Sequence, residues 1–291
     1  MALSIQSNMA SMSIQNQLGR SNNDLSTALE RLGSGFKINS AKDDAAGLQI
    51  ASRLNAQVKG QEAGLYNGAN AMSMMQTAEG AFDEMTNIAF RMKELATQGA
   101  SDANGDKEWA AQSAEYKALA DELGSIMKNT SFGGTALLDK TLGKFGSVLT
   151  ATNEVSFQVG SSAAETLEVD IADELDAVDD ILNSATPATK FAASFTTVAT
   201  AQDELAKVDK FIDAVGEARS SLGASMNRLE HTMTNVTNMK ENTQAAASTL
   251  MDADFAAETS NMTKQQLLMN SGISVLSTAN STTQMIGSLL R

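Results

Sequence analysis

Apolar residues recur every three or four positions, almost without a break, over 205–250. Leu205, Val208, Ile212, Val215, Leu222, Met226, Leu229, Met233, Val236 and Leu250 keep one register, with Arg219, Thr243 and Ala247 in slots between them. That spacing gathers the apolar side chains on one narrow seam of a long helix, the seam that a coiled coil or bundle buries. Near the start, Leu18, Leu25, Leu29 and Leu32 share a face and predict a first helix, stopped by Gly33 and Gly35, because glycine takes the left-handed conformation that ends helices. Residues 36–39 are expected to be extended. Ser40 and Asp43 have capping-box spacing, so a second helix is predicted over 41–98,. Its Leu65, Met72, Met75, Phe82, Met85, Ile88, Met92 and Leu95 stand three, four or seven residues apart. Asp102, Asn104 and Gly105 mark a turn; a third helix then carries Trp109, Tyr116, Leu119, Leu123 and Ile126 on one side, until 129–134 break it,.

Over 135–200 the pattern changes. Val155, Phe157 and Val159 alternate with polar residues, as do Leu167, Val169 and Ile171, and 160–164 can turn: a β-hairpin signal,. The predicted fold is therefore mainly α. Long antiparallel helices from both chain ends form a coiled-coil or bundle arrangement, with a small β-hairpin region mid-chain. The apolar stripes run to the ends, through Ile5, Met9 and Met12 at one and Ile286, Leu289 and Leu290 at the other. Chain ends usually fray and are polar. Striped ends need something to bury them, which points toward assembly.

Composition supports long helices: Pro187 is the one proline, aromatics are 4% and there are 16 Met. The interior must be built from Leu, Met, Ala and Ile, the vocabulary of helix–helix seams. A net charge of −14 counts against a nucleic-acid partner, since phosphate binding needs a basic face. There is no cysteine, which removes thiol catalysis and disulfides,. The first residues lack the basic and continuous apolar regions of a secretory leader,. No window approaches the roughly 18 continuous apolar residues of a membrane span. Taken alone, these features place the chain in the cytoplasm, away from membranes.

Candidate chemistry is thin. His231 is the one histidine and sits on the flank of the seam, with neither a nucleophile elbow nor an HExxH motif around it,. Gly33-Ser34-Gly35 has no strand before it and no third glycine at dinucleotide-loop spacing,. The acidic run over 165–180 lacks EF-hand spacing and its central glycine, and reads as a solvated face,. No enzyme, cofactor or metal site is expected.

One stretch changes the picture. ERLGSGFKINSAKDDAAGLQI at 30–50 closely resembles the signature of bacterial flagellins. NRLEHT at 227–232 resembles the motif of that family's last long core helix, and DADFAAE at 252–258 with LSTAN at 276–280 its C-terminal helix. FQVG at 157–160 recurs in small flagellins. The resemblance implies a chain exported unfolded through the flagellum's own type III apparatus without a cleaved signal, and polymerised at the tip. It thus overrides the cytoplasmic expectation in favour of the extracellular filament. It implies an inner-core domain of 1–40 plus 251–291 and a helical core domain of 41–250, whose short variable middle is about 140–197. Implied partners are other copies in a helical homopolymer, flagellar cap and hook-junction proteins, and an export chaperone.

The terminal segments are expected to order only on docking, since isolated helices are marginal. The residues expected to carry polymerisation are Leu18, Leu25, Leu29 and Leu32, with Leu268, Ile273, Leu276, Ile286 and Leu290. By resemblance, Arg91, Glu94, Leu95, Gln98 and Glu115 match a contact patch for Toll-like receptor 5. A hook–filament junction protein, which shares the terminal-helix logic, is the alternative; the match over 39–50 favours flagellin. A signalling coiled coil would not normally carry the mid-chain hairpin.

Overall fold

A computed structural model of the chain describes residues 8–140, 142–145, 155–183, 190–192 and 194–289, with side chains to Ser281. Among these the order is α1 (Met9–Ser34), α2 (Ala45–Gly99), α3 (Asp106–Asn129), β1 (Ser131–Phe132), β2 (Thr135–Ala136), β3 (Val155–Gln158), β4 (Thr166–Val169), α4 (Ala172–Asn183), α5 (Val198–Met251) and α6 (Phe255–Leu289). The chain divides into two compact units, 1–58 with 241–291 and 59–240, and the division falls within α2 and α5.

In the first unit, Gly35 ends α1 in the left-handed conformation, φ 78°, and its N–H closes on Arg31 O at 2.8 Å. The next residues are extended, as the sequence predicts: Phe36 bridges Asp252, and the Lys37 N–H donates to Met251 O at 2.6 Å. The predicted start of the second helix needs correction. The Asp43 carboxylate accepts the N–H groups of Asn39 and Ser40 and the Ser40 hydroxyl, which closes a single turn instead of opening a helix. Those bonds, Ser40's backbone first, hold the Asp43 carboxyl below the usual carboxylate range,. Asp44 accepts from the Gly47 N–H at 2.9 Å and caps α2, which begins at Ala45 instead of residue 41,.

In the second unit, α2 and α5 run antiparallel. Lys93 reaches Asp209 at 2.6 Å and Arg219 reaches Asp83 at 3.2 Å. Between them Met75, Phe82, Met85, Met92 and Leu95 of α2 meet Val208, Val215, Leu222 and Leu229 of α5, all buried. The α5 seam is wider than predicted, because Phe211, Ala214 and Ala218 are buried beside it. This helix faces several partners at once and so buries a broader stripe than a two-stranded coil would. Tyr116 and Leu123 bring α3 into the same core, with Trp109, Leu119 and Ile126 packed at its margin. Phe191 and Phe195 stand edge-on to the Tyr116 ring at 5.9 and 5.6 Å. The Tyr116 hydroxyl donates to buried Glu204, which also receives the Ala192 N–H and Lys207 Nζ. Burial, then the adjacent Glu204 charge, pushes the phenol well above its ordinary pKa.

The mid-chain hairpin is present: β3 and β4 pair antiparallel with Val155 opposite Val169 and Phe157 opposite Leu167. It seats on α2 where side chains are missing. A Cβ on Gly60 would meet Ser161, and one on Gly64 would run into the Val159 carbonyl. Asn67 Nδ2 donates to Gln158 O at 3.1 Å beside them. Two elements were not predicted. Gly133 and Gly134, at φ 57° and 81°, form the two-residue turn of the β1–β2 hairpin,. The acidic run contains α4, with Leu175, Val178 and Leu182 buried. Its carboxylates are not all solvated: Asp176, Asp179 and Asp180 surround Lys140 at 3.2, 3.9 and 3.8 Å. Burial alone would lower the Lys140 pKa, but the three carboxylates, Asp176 foremost, raise it.

Candidate functional site

Two surfaces carry the predicted residues, one in each unit. In the first, α1 and α6 pair antiparallel. Asn8 Nδ2 donates to Ala279 O at 3.2 Å, Ser11 Oγ to Asn280 at 3.1 Å, and Arg31 Nη1 to Glu258 at 3.1 Å. The residues turned inward repeat at three and four: Ser11, Ile14, Leu18, Ser21, Leu25, Ala28 and Leu32 on α1. On α6 they are Glu258, Met262, Gln265, Met269, Gly272, Leu276 and Ala279. At its centre Gly272 admits Leu18, whose methyl would lie 2.7 Å from any Cβ placed there. Serine, alanine and glycine let the two backbones approach between the larger leucine, isoleucine and methionine side chains of the seam.

The predicted polymerisation residues therefore divide. Leu18, Leu25, Leu32 and Leu276 lie in the seam, half-buried. Leu29, Leu268 and Ile273 point away from it, 50%, 43% and 56% exposed. The Ile286 side chain and Leu290 lie outside the described residues. The prediction that the four α1 leucines share one face is thus corrected: Leu29 is four residues after Leu25 and three before Leu32, and falls on the flank. The outward set is larger. Met9 and Met12, which the sequence marked as needing cover, are exposed, and so are Leu267 and Val275, which sequence reasoning missed. The signal was available, because Leu267 and Val275 fall out of step with the repeat of Met262, Met269 and Leu276 on their own helix,.

In the second unit, four of the five predicted receptor-contact residues come together. Arg91 Nε donates to Glu115 Oε1 at 2.9 Å across the α2–α3 pair, and Arg91 Nη1 to Glu94 one turn along α2. Gln98 Nε2 donates to the other Glu94 oxygen at 3.2 Å. The guanidinium pKa is raised, by Glu115 first and then Glu94. All four side chains are exposed, with Phe90 bare beside them. Leu95 is the exception and a correction: at 2% exposure it belongs to the α2 core layer with Met92 and Ala96, and its side chain cannot touch a partner from there. His231 is exposed on the flank of α5, as predicted.

The arrangement offers two exposed helical surfaces and, among the described residues, no cluster of metal-ligating side chains. Comparison with known proteins agrees with this. The family model for the bacterial flagellin N-terminal helical region matches residues 5–142, and that for the C-terminal helical region matches 205–290. A flagellin of Halalkalibacterium halodurans is 36% identical over 288 residues, covering 99% of both chains. A flagellin of Listeria innocua is 34% identical over 291 residues, again covering 99% of both. A solved structure of a putative flagellar hook-associated protein from Vibrio parahaemolyticus shares the fold, with TM-score 0.54 at 16% identity over 72% of this chain and 99% of that one. The chain, in a short form that spans its relatives end to end, belongs to the bacterial flagellin family, structural and non-enzymatic subunits of the extracellular flagellar filament.

Proposed function

We propose that this chain is exported by the flagellar type III apparatus and self-assembles into a helical tube for motility, through the outward faces of α1 and α6. One observation carries this reading. The seam between the two helices leaves its larger apolar side chains only half-buried, while Met9, Met12, Leu29, Leu267, Leu268, Ile273 and Val275 remain uncovered on the same pair. Several large apolar side chains left exposed on one helix pair mark an interaction site,. Contacts between unlike faces of identical copies do not close on themselves and produce an open helical polymer. Ordering of the terminal helices draws on such neighbours, since their own seam leaves its larger apolar side chains half-buried. Cap and hook-junction proteins and an export chaperone are the further partners expected of such a chain.

The test separates assembly from folding. Leu29→Gln combined with Ile273→Gln adds no cavity, because neither side chain is inside a core. Thermal melting of the monomer is expected to be unchanged while seeded polymerisation, followed by light scattering and electron microscopy, is lost. Filaments of normal yield from the double variant would refute the proposed face.

A second reading has its own support. The clustering of Arg91, Glu94, Gln98 and Glu115 on one exposed face favours recognition by Toll-like receptor 5 there, with Leu95 excluded from contact.

A further inference from the structure

The α2–α3 corner holds a chemically labile dipeptide that the function above does not use. Asn-Gly pairs can lose ammonia spontaneously, because glycine's unhindered backbone nitrogen can attack the asparagine side-chain carbonyl. The chain has two such pairs described here, Asn67-Gly68 and Asn104-Gly105, in opposite settings. Asn67-Gly68 is inside α2, where the backbone is fixed in the hydrogen-bond ladder,. Gly68 is buried, Asn67 Nδ2 is spent on Gln158 O, and any atom added at Gly68 meets Met233. A helical backbone keeps the side-chain carbonyl away from the next residue's nitrogen.

Asn104-Gly105 has no such protection from its backbone. It lies between helices, and Gly105 is extended at φ −96°, ψ 176°. What restrains it is a pair of hydrogen bonds. The Gly105 N–H, the would-be nucleophile, donates to Glu108 Oε2 at 3.1 Å. The Asn104 amide, the would-be leaving group, donates to Gln98 O at 2.5 Å. An anionic carboxylate on that N–H favours keeping the proton there, because attack requires the nitrogen to lose it.

We propose that Asn104 is the chain's site of spontaneous deamidation, and that Glu108 sets its rate by holding the Gly105 N–H. In the reaction Gly105 N bonds to Asn104 Cγ, the Cγ–Nδ2 bond breaks, and ammonia leaves with the proton from Gly105. Water then opens the cyclic imide to aspartate or isoaspartate, with no oxidant or reductant. The product carries one more negative charge and no donor for Gln98 O. That removes a tie at the C-terminal end of α2, beside the Gln98–Glu94–Arg91 cluster.

The experiment is incubation of the folded full-length chain in mildly alkaline buffer, with peptide mass spectrometry at both pairs over time. Wild type is expected to convert slowly at Asn104 and not at Asn67. Glu108→Ala is expected to convert several-fold faster at Asn104, and Glu108→Gln, which keeps an acceptor without the charge, at an intermediate rate. Unchanged circular dichroism shows that the variants remain folded. Intact Asn104 in wild type while the unfolded chain converts there, or equal conversion at Asn67, would overturn the site. A Glu108→Ala rate equal to wild type would overturn the role of Glu108.

Discussion

Arg91 and Leu95 stand one turn apart on α2 and meet opposite fates. Both belong to the stretch that resembles a receptor-contact patch, yet Arg91 is exposed and Leu95 is inside the core. The residue types were legible, and a leucine at a heptad step after Ile88 was already counted as part of the helix's apolar pattern. Which of two uses applied was settled by Tyr116 and Leu123 of α3, which pack into the same core. At this scale the receptor reading can be checked directly. Arg91 holds Glu94 and Glu115 at the surface, where solvent screens the ion pairs and they add little stability,. Arg91→Ala should therefore leave the melting temperature almost unchanged while reducing Toll-like receptor 5 activation in a reporter cell assay. An unaltered dose–response would remove Arg91 from the contact.

Among the elements, periodicity identified what it is suited to identify. The alternation at Val155, Phe157, Leu167 and Val169 gives the hairpin, because a strand in a half-buried sheet must alternate, while its register is seen in the structure,. It missed α4, whose Leu175, Val178 and Leu182 carry a helical step that the surrounding carboxylates obscured. It also missed the glycine seat of the hairpin, since an absent side chain leaves no apolar signal. Two glycines of α2 separate propensity from packing. Gly80→Ala meets nothing within 4 Å and should stabilise the chain by about 0.5–1 kcal/mol through helix propensity alone,. Gly64→Ala gains the same propensity but drives a methyl into the backbone of Val159 and Gly160. Such overpacking costs about 1–3 kcal/mol. Net destabilisation is expected, measured as a lower urea midpoint; if Gly64→Ala were as stable as Gly80→Ala, the hairpin would not be seated there.

For the whole molecule, the two units differ in what they bury. Residues 59–240 hold a continuous core of methionine, leucine and phenylalanine, whereas the seam of α1 and α6 buries fully only small or polar residues and leaves its leucines and methionines half-buried. Deleting 1–40 or 251–291 should leave a soluble, cooperatively melting helical monomer, by circular dichroism and sedimentation, that forms no fibres. Efficient fibre formation by either truncation would count decisively against assembly through the terminal helices. The sequence by itself determined the helical class, the hairpin, the turn at Gly35 and the family, because these follow from local periodicity, local backbone preference and contiguous motifs. Tertiary structure alone decided which residues of α6 meet the α1 leucines and why Leu95 is withdrawn from the surface. The late start of the second helix at Ala45, by contrast, follows from side-chain bonds within a few residues. The pairing and the burial of Leu95 depend on partners far away in the chain, such as Gly272 opposite Leu18, and no local pattern encodes which distant residue leaves room for which.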